Sequence, residues 1–197
     1  MKKFLKKYKN ILFFGGVTLL AAACLTCLYF HIRTTRTGPS KICAFSKTPT
    51  PTSTIDPKIQ EFGLKIDKLD ILVPIVKEVD GDDKTAYNEA LKGGVAHYKG
   101  TALPGEGNNV FIFGHSSAEV KTDYAKTFAK LNDLEKGDEI IVYYQNNEHK
   151  YKVKNKEIVE ATDLSVLKKS KEEILTLMTC WPIGTKDKRL IIRAEKQ

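Results

Sequence analysis

The stretch ILTLMTC-WPIGTKDK-RLIIRAE, residues 174 to 195, decides how the chain folds. Its first part is rich in strand-forming residues and stops on Cys180, followed at once by Trp181 and Pro182. Its last part is a second strand signal, starting at Arg189. If the two pair as an antiparallel hairpin, the end of the first lies beside the start of the second. Cys180 and Arg189 then become neighbours at one rim of a sheet. Arg193 lies four residues further along, roughly 13 Å away at ~3.3 Å per residue, so the spacing selects Arg189 as the cation beside the thiol.

Working outward, the same kind of signal recurs. LKIDKLDILVPIV (64–76) alternates in places and carries Pro74, which fits an edge or a bulge. NVFIFGHSS (109–117) is an apolar strand ending at Gly114. EIIVYY (139–144) and HKYKVKNKEIVE (149–160) read as two strands joined by a turn over Gln145 to Glu148. Helical patterns are short, TAYNEALKGG (85–94) and DYAKTFAKLNDL (123–134). Seven or eight short strands with one or two small helices predict a mostly β domain, an antiparallel barrel or sandwich.

The amino-terminal part is of another kind. Residues 11–30, ILFFGGVTLLAAACLTCLYF, hold no charge over twenty positions, the length a helix needs to cross about 30 Å of hydrocarbon. Residues 1–10 carry five lysines, and a basic flank stays cytoplasmic, so the chain after residue 30 is expected on the extracellular face of the cell membrane. Ala21-Ala22-Ala23 also resembles a signal-peptidase site, and Cys24 is a candidate for lipid attachment. The apolar run continues past both, and its length favours an uncleaved single-pass anchor. Residues 31–56, rich in Thr, Ser, Pro and Lys, cannot bury a core and read as a linker. The folded domain is expected over 57–197, a common single-domain size.

Charge divides along the same boundary. Of 32 Lys/Arg and 24 Asp/Glu, nine and one fall in residues 1–56, which leaves 23 of each for 57–197. The net charge of +8 thus belongs to the membrane flank and linker. A neutral folded part gives no argument for nucleic acid.

The four cysteines form no disulfide framework. Cys24 and Cys27 lie in the apolar run, Cys43 in the linker, and Cys180 stands alone in the folded part. A guanidinium beside a sulfur stabilises the thiolate, the attacking species, and can equally hold a substrate carbonyl or the oxyanion formed from it. A cysteine nucleophile also needs a proton carrier, usually histidine. His31 sits at the membrane boundary and His149 in a Lys-rich strand. His97, in GGVAHYKG, reads as a satisfied core residue. His115 comes after a buried-looking strand and a glycine, the same strand-end placement as Cys180, and is the best candidate. Periodicity alone does not bring it to the cysteine.

The segments TLMTC, FIFGHSS 65 residues before it, and KRLIIRAE just after it together resemble the sortases, membrane-anchored cysteine transpeptidases of bacterial surfaces. The family's TLxTC motif is matched at Thr176, Leu177, Thr179 and Cys180, its histidine at His115 and its arginine at Arg189. GGVAHYKGTALPGEGNN and LEKGDEIIVYY also resemble family segments, so that the match covers roughly 60–197. The resemblance implies a closed eight-stranded β-barrel with the site at one rim, in an N-terminally anchored type. It implies that Cys180 attacks the Thr–Gly bond of an LPXTG-like signal on a surface protein to give a thioacyl enzyme. His115 then moves the proton and Arg189 holds the carbonyl, with Thr179 as a candidate substrate contact; Trp181, directly after the cysteine, reads equally as a second substrate contact or as a rim aromatic packed on the barrel. The acyl chain passes to an amine on a cell-wall precursor or a pilin lysine. Some sortases bind calcium through acids near the histidine strand and before the cysteine strand; Glu106 and the short KKSKEE give no such cluster, and neither metal nor cofactor is expected. A polar tail to Gln197 favours the housekeeping or another N-anchored class. The competing readings are a secreted cell-wall cysteine peptidase, in which the cysteine usually precedes the histidine and starts a helix, and an anchored β-domain adhesin.

Overall fold

The computed structural model describes residues 55–117 and 121–197. The expected basic segment, membrane helix and all but the last two residues of the linker lie outside the described residues.

Eight strands close into one barrel: β1 (Phe62–Ile66), β2 (Ile71–Val79), β3 (Val95–Tyr98), β4 (Asn109–Phe113), β5 (Glu139–Tyr144), β6 (Asn147–Glu160), β7 (Ile174–Trp181) and β8 (Lys188–Lys196). Their order around the barrel is β1-β2-β3-β4-β7-β8-β6-β5. Two short helices, α1 (Pro57–Glu61) and α2 (Lys84–Ala90), accompany them.

The closed, mostly β architecture is the one expected, with a correction. Two of the eight pairings, β2 with β3 and β4 with β7, are parallel. Parallel neighbours need long crossovers; residues 80–94 supply one and 114–173 the other. The single strand signal at 64–76 is also two strands. Residues Asp67–Leu69 form a 3-10 turn, Asp70 takes a left-handed conformation (φ 55°), and β1 folds back on β2 with Gly63 opposite Pro74. Pro74 therefore stands in a closed barrel, and the ladder irregularity falls further on, between Val76 and Val79.

The β5–β6 connection is tighter than the expected four-residue turn. Tyr144 pairs with Asn147, and only Gln145 and Asn146 lie between, both left-handed (φ 50° and 63°). Two successive positive φ values give the hairpin turn whose twist matches that of the strands. The helix expected over 123–134 is a chain of i→i+3 turns instead, ending in a 3-10 turn at Leu131–Asp133. A tertiary contact breaks the helical pattern: the Phe128 amide donates to the His115 carbonyl at 2.9 Å while its ring is fully buried.

Alternation along the last two strands sorts the core into two faces. Leu175, Leu177, Leu190 and Ile192 point into the barrel and join the main cluster. Met178 and Ile191 point outward into a second cluster with Phe111, Phe113 and Leu91. Cys180 shares the parity of Met178, and Arg189 that of Ile191. The reactive candidates therefore sit on the outer face of the barrel wall, beside an apolar layer that the chain around α2 and 164–167 covers.

Candidate active site

The β7–β8 ladder runs in the register expected from sequence: Cys180 opposes Arg189, and Thr176 opposes Arg193. Direct cross-strand partners have their Cβ atoms roughly 5 Å apart on one face. Arg189 is further fixed by its own loop, its Nη1 donating to the carbonyls of Lys186 (3.0 Å) and Lys188 (2.9 Å). The same guanidinium thus orders the turn after Pro182 and keeps its remaining N–H groups for another acceptor. Arg193 is committed elsewhere, its Nε on Glu157 at 3.0 Å.

Histidine reaches the site through the parallel pair. β4 and β7 run in step from Asn109 with Ile174 to Phe113 with Met178. Beyond the last ladder pair, the Gly114 amide donates to the Met178 carbonyl (3.1 Å) and the Thr179 hydroxyl donates to the Gly114 carbonyl (2.8 Å). Two more residues of that register set the His115 backbone alongside that of Cys180. Glycine is required before it: a Cβ on Gly114 would stand 2.9 Å from the Phe128 ring and 3.0 Å from a Val95 methyl. Phe128 thereby presses on Gly114 and holds His115 by its amide, so the irregular segment 123–134 serves as a clamp behind the imidazole.

Cys180, His115 and Arg189 line one cleft of about 550 Å³. Thr179, Thr122 and Lys186 line it too, with Tyr87 and Lys84 of α2 on another wall. Burial, and secondarily the charge of Lys186, holds the His115 pKa below its ordinary range. Its imidazole is therefore mostly neutral near pH 7. Cys180 is partly accessible, as a nucleophile must be.

The other candidates separate cleanly. His97 is fully buried and lies off the cleft; its Nε2 donates to the Ala102 carbonyl (2.9 Å) and its Nδ1 accepts the Glu78 amide (3.4 Å). His149 lies on β6, paired across the sheet with Val142 and also outside the cleft lining. Trp181 has the inward parity and packs against the barrel interior. The structure thus brings Thr179 into the cleft with Cys180 and leaves Trp181 out of its lining. Sequence reading missed the second wall. Its signal was Asp83, whose carboxylate caps α2 by accepting the Thr85 (2.8 Å) and Ala86 (3.1 Å) amides.

Two of the acids weighed for a metal, Glu106 and Glu173, have other partners. Glu106 accepts the Leu103 amide at 2.8 Å. Glu173, buried at the start of β7, accepts from the Tyr151 hydroxyl (2.7 Å), the Gly105 and Gly107 amides (3.1 Å each) and the Lys196 ammonium (3.1 Å).

Comparison with known proteins agrees with this construction. The sortase domain family model matches residues 64–197. The chain belongs to the sortase family. Sortase D of Bacillus subtilis is 32% identical over 138 residues, a match that covers 68% of this chain. This sortase chain spans 62% of that relative's length. Sortase C-1 of Actinomyces oris superposes with a TM-score of 0.60 at 28% identity, over 69% of this chain and 72% of that one. Sortase A of Corynebacterium diphtheriae superposes at 0.59 and 29% identity, over 70% of this chain and 60% of that one.

Proposed function

We propose that this sortase is a cysteine transpeptidase that cleaves an LPXTG-like sorting signal between Thr and Gly and transfers the acyl chain to an amine. The reading rests above all on one observation: a parallel and an antiparallel ladder, both meeting on β7, bring His115, Cys180 and Arg189 to a single cleft.

The side chains supply each step. As the Cys180 sulfur attacks the threonine carbonyl, neutral His115 takes the thiol proton. The free N–H groups of Arg189 hold the carbonyl oxygen as negative charge grows on it. Collapse breaks the C–N bond, and His115 returns its proton to the departing glycine amine, which leaves a thioacyl enzyme. An incoming amine attacks the thioester, His115 takes one of its protons, and the thiolate leaves and recovers that proton. Thr179 contributes by holding the Gly114 carbonyl, which fixes the segment that carries His115.

The acceptor is an amine on a cell-wall precursor or a pilin lysine, and the donors are surface proteins with a C-terminal sorting signal. The apolar segment 11–30 holds the domain on the extracellular face of the cell membrane. Incubation of the full chain with an LPXTG peptide and glycine oligomers should yield the Thr–Gly cleavage fragment and a joined product by mass spectrometry. Cleavage at other bonds alone would support the peptidase instead. A Cys180 inert to alkylation, with no peptide cleavage, would support a packing role in an adhesin.

A further inference from the structure

The cleft lining contains four cationic side chains, Lys84, Lys92, Lys186 and Arg189, and among the described residues no carboxylate. This imbalance is local, because residues 57–197 carry equal numbers of both signs. Three of the acids near that wall in sequence are already engaged. Asp83 caps α2. Asp80 accepts the Asp82 amide (3.1 Å) and faces Lys99 (3.5 Å). Glu89 holds Lys92 at 2.5 Å. Arg189 spends one nitrogen on its own loop. Lys84 and Lys186 form no ion pair among the described residues, yet both line the concavity beside the thiol. Burial first, and the charge of Lys186 second, depress His115 in the same cleft.

Unpaired charges of one sign in a concave site focus their field inward and discriminate between ligands by charge. They attract a carboxylate and repel an ammonium entering the same space. The backbone of a peptide is neutral, so only its side chains supply that partner.

We propose that the cleft selects sorting peptides with an acidic side chain close to the scissile bond, and that Lys84 and Lys186 are the specificity-determining residues. This inference rests on the transpeptidase reading above and deepens it by naming a substrate class. The two lysines stand on different segments, α2 and the β7–β8 loop, so a carboxylate between them ties both walls to the peptide.

The test compares peptides that differ only by Asp or Asn, placed in turn at each position around the Thr–Gly bond. Binding is measured on the full-length Cys180→Ala protein by fluorescence anisotropy, and kcat/KM on the wild type. At one position at least, the Asp peptide is expected to be favoured about fivefold, the size of a partly exposed ion pair. That ratio should fall toward one in about 0.5 M salt, where the screening length drops to a few ångströms. It should also fall toward one in Lys84→Met and Lys186→Met, and persist in Lys152→Met on β6. Asp and Asn peptides within twofold at every position, or a preference that survives in the Lys84→Met/Lys186→Met double variant, would overturn the proposal. Cleavage without preference sinks this inference and leaves the transpeptidase standing. Preferential binding to Cys180→Ala without any wild-type turnover does the reverse.

Discussion

The two ends of β7 are built on opposite principles. At its start, Glu173 is buried and saturated, with four donors on one carboxylate. At its end, Cys180 is half-open, His115 lies in the same cleft, and the buried hydroxyl of neighbouring Thr122 has no partner among the described residues. Buried polar groups are normally paired, and the saturated Glu173 cluster is built for stability. Glu173 directly precedes the strand and Cys180 lies near its end, seven residues on and roughly 23 Å away at ~3.3 Å per residue. The two histidines repeat the contrast. His97 is enclosed and bonded at both ring nitrogens, whereas His115 shares its cleft with the thiol.

Substitutions at the two ends should therefore fail in different ways. Cys180→Ala is expected to abolish both cleavage and transfer while the melting temperature holds, which peptide turnover and calorimetry check together. His115→Ala should fall by at least about a thousandfold with the fold intact, since it removes the one histidine among the described residues of the cleft. A fully active variant would contradict the role given to His115. Arg189→Ala should lose about a hundredfold or more in kcat, and Arg193→Ala less than about threefold, because an oxyanion donor is worth far more than a surface ion pair. Equal losses would mean that register does not decide which arginine works.

At the other end, Glu173→Ala is expected to cost about 3 kcal/mol in urea unfolding, by stripping the buried Tyr151 hydroxyl and Lys196 of their partner. Its pH dependence sharpens the contrast. Burial pushes the Glu173 carboxyl up, but the Tyr151 hydroxyl, the two loop amides and Lys196 outweigh it and hold it below the ordinary carboxylate value. A group whose folded pKa is depressed contributes fully above its unfolded pKa and loses that contribution as pH falls through the folded one. Wild-type stability should decline below about pH 4.5, and Glu173→Gln should flatten part of that decline. The smallest expected effect is in the acid limb of activity. Lys186→Met should move the His115 limb slightly upward in pH, because one cause of its depressed pKa is removed.

What was legible in the sequence was what is local. The β7–β8 hairpin spans some twenty residues, so strand period and loop length alone set Cys180 opposite Arg189. The parallel pairing of β4 with β7 was not legible from period, because some sixty residues separate the strands and no turn signal joins them. The motif resemblance supplied that link. Residues 123–134 misled because spacing reports which side chains are apolar and not where their amides go; Phe128 gives its amide to His115. Trp181 reads as a site residue from adjacency to Cys180, but neighbours on a strand face opposite sides, and it packs inward. The wall formed by α2 carried a cap signal at Asp83 and no signal of what it faces.

The most direct measurement is intact-mass and peptide-mapping spectrometry of the full chain, quenched during turnover of a sorting peptide without an amine acceptor. The expected result is an acyl adduct on Cys180 that an added amine discharges into a joined product. Turnover with Cys180 unmodified throughout, or an adduct that forms equally in Cys180→Ala, would contradict the account.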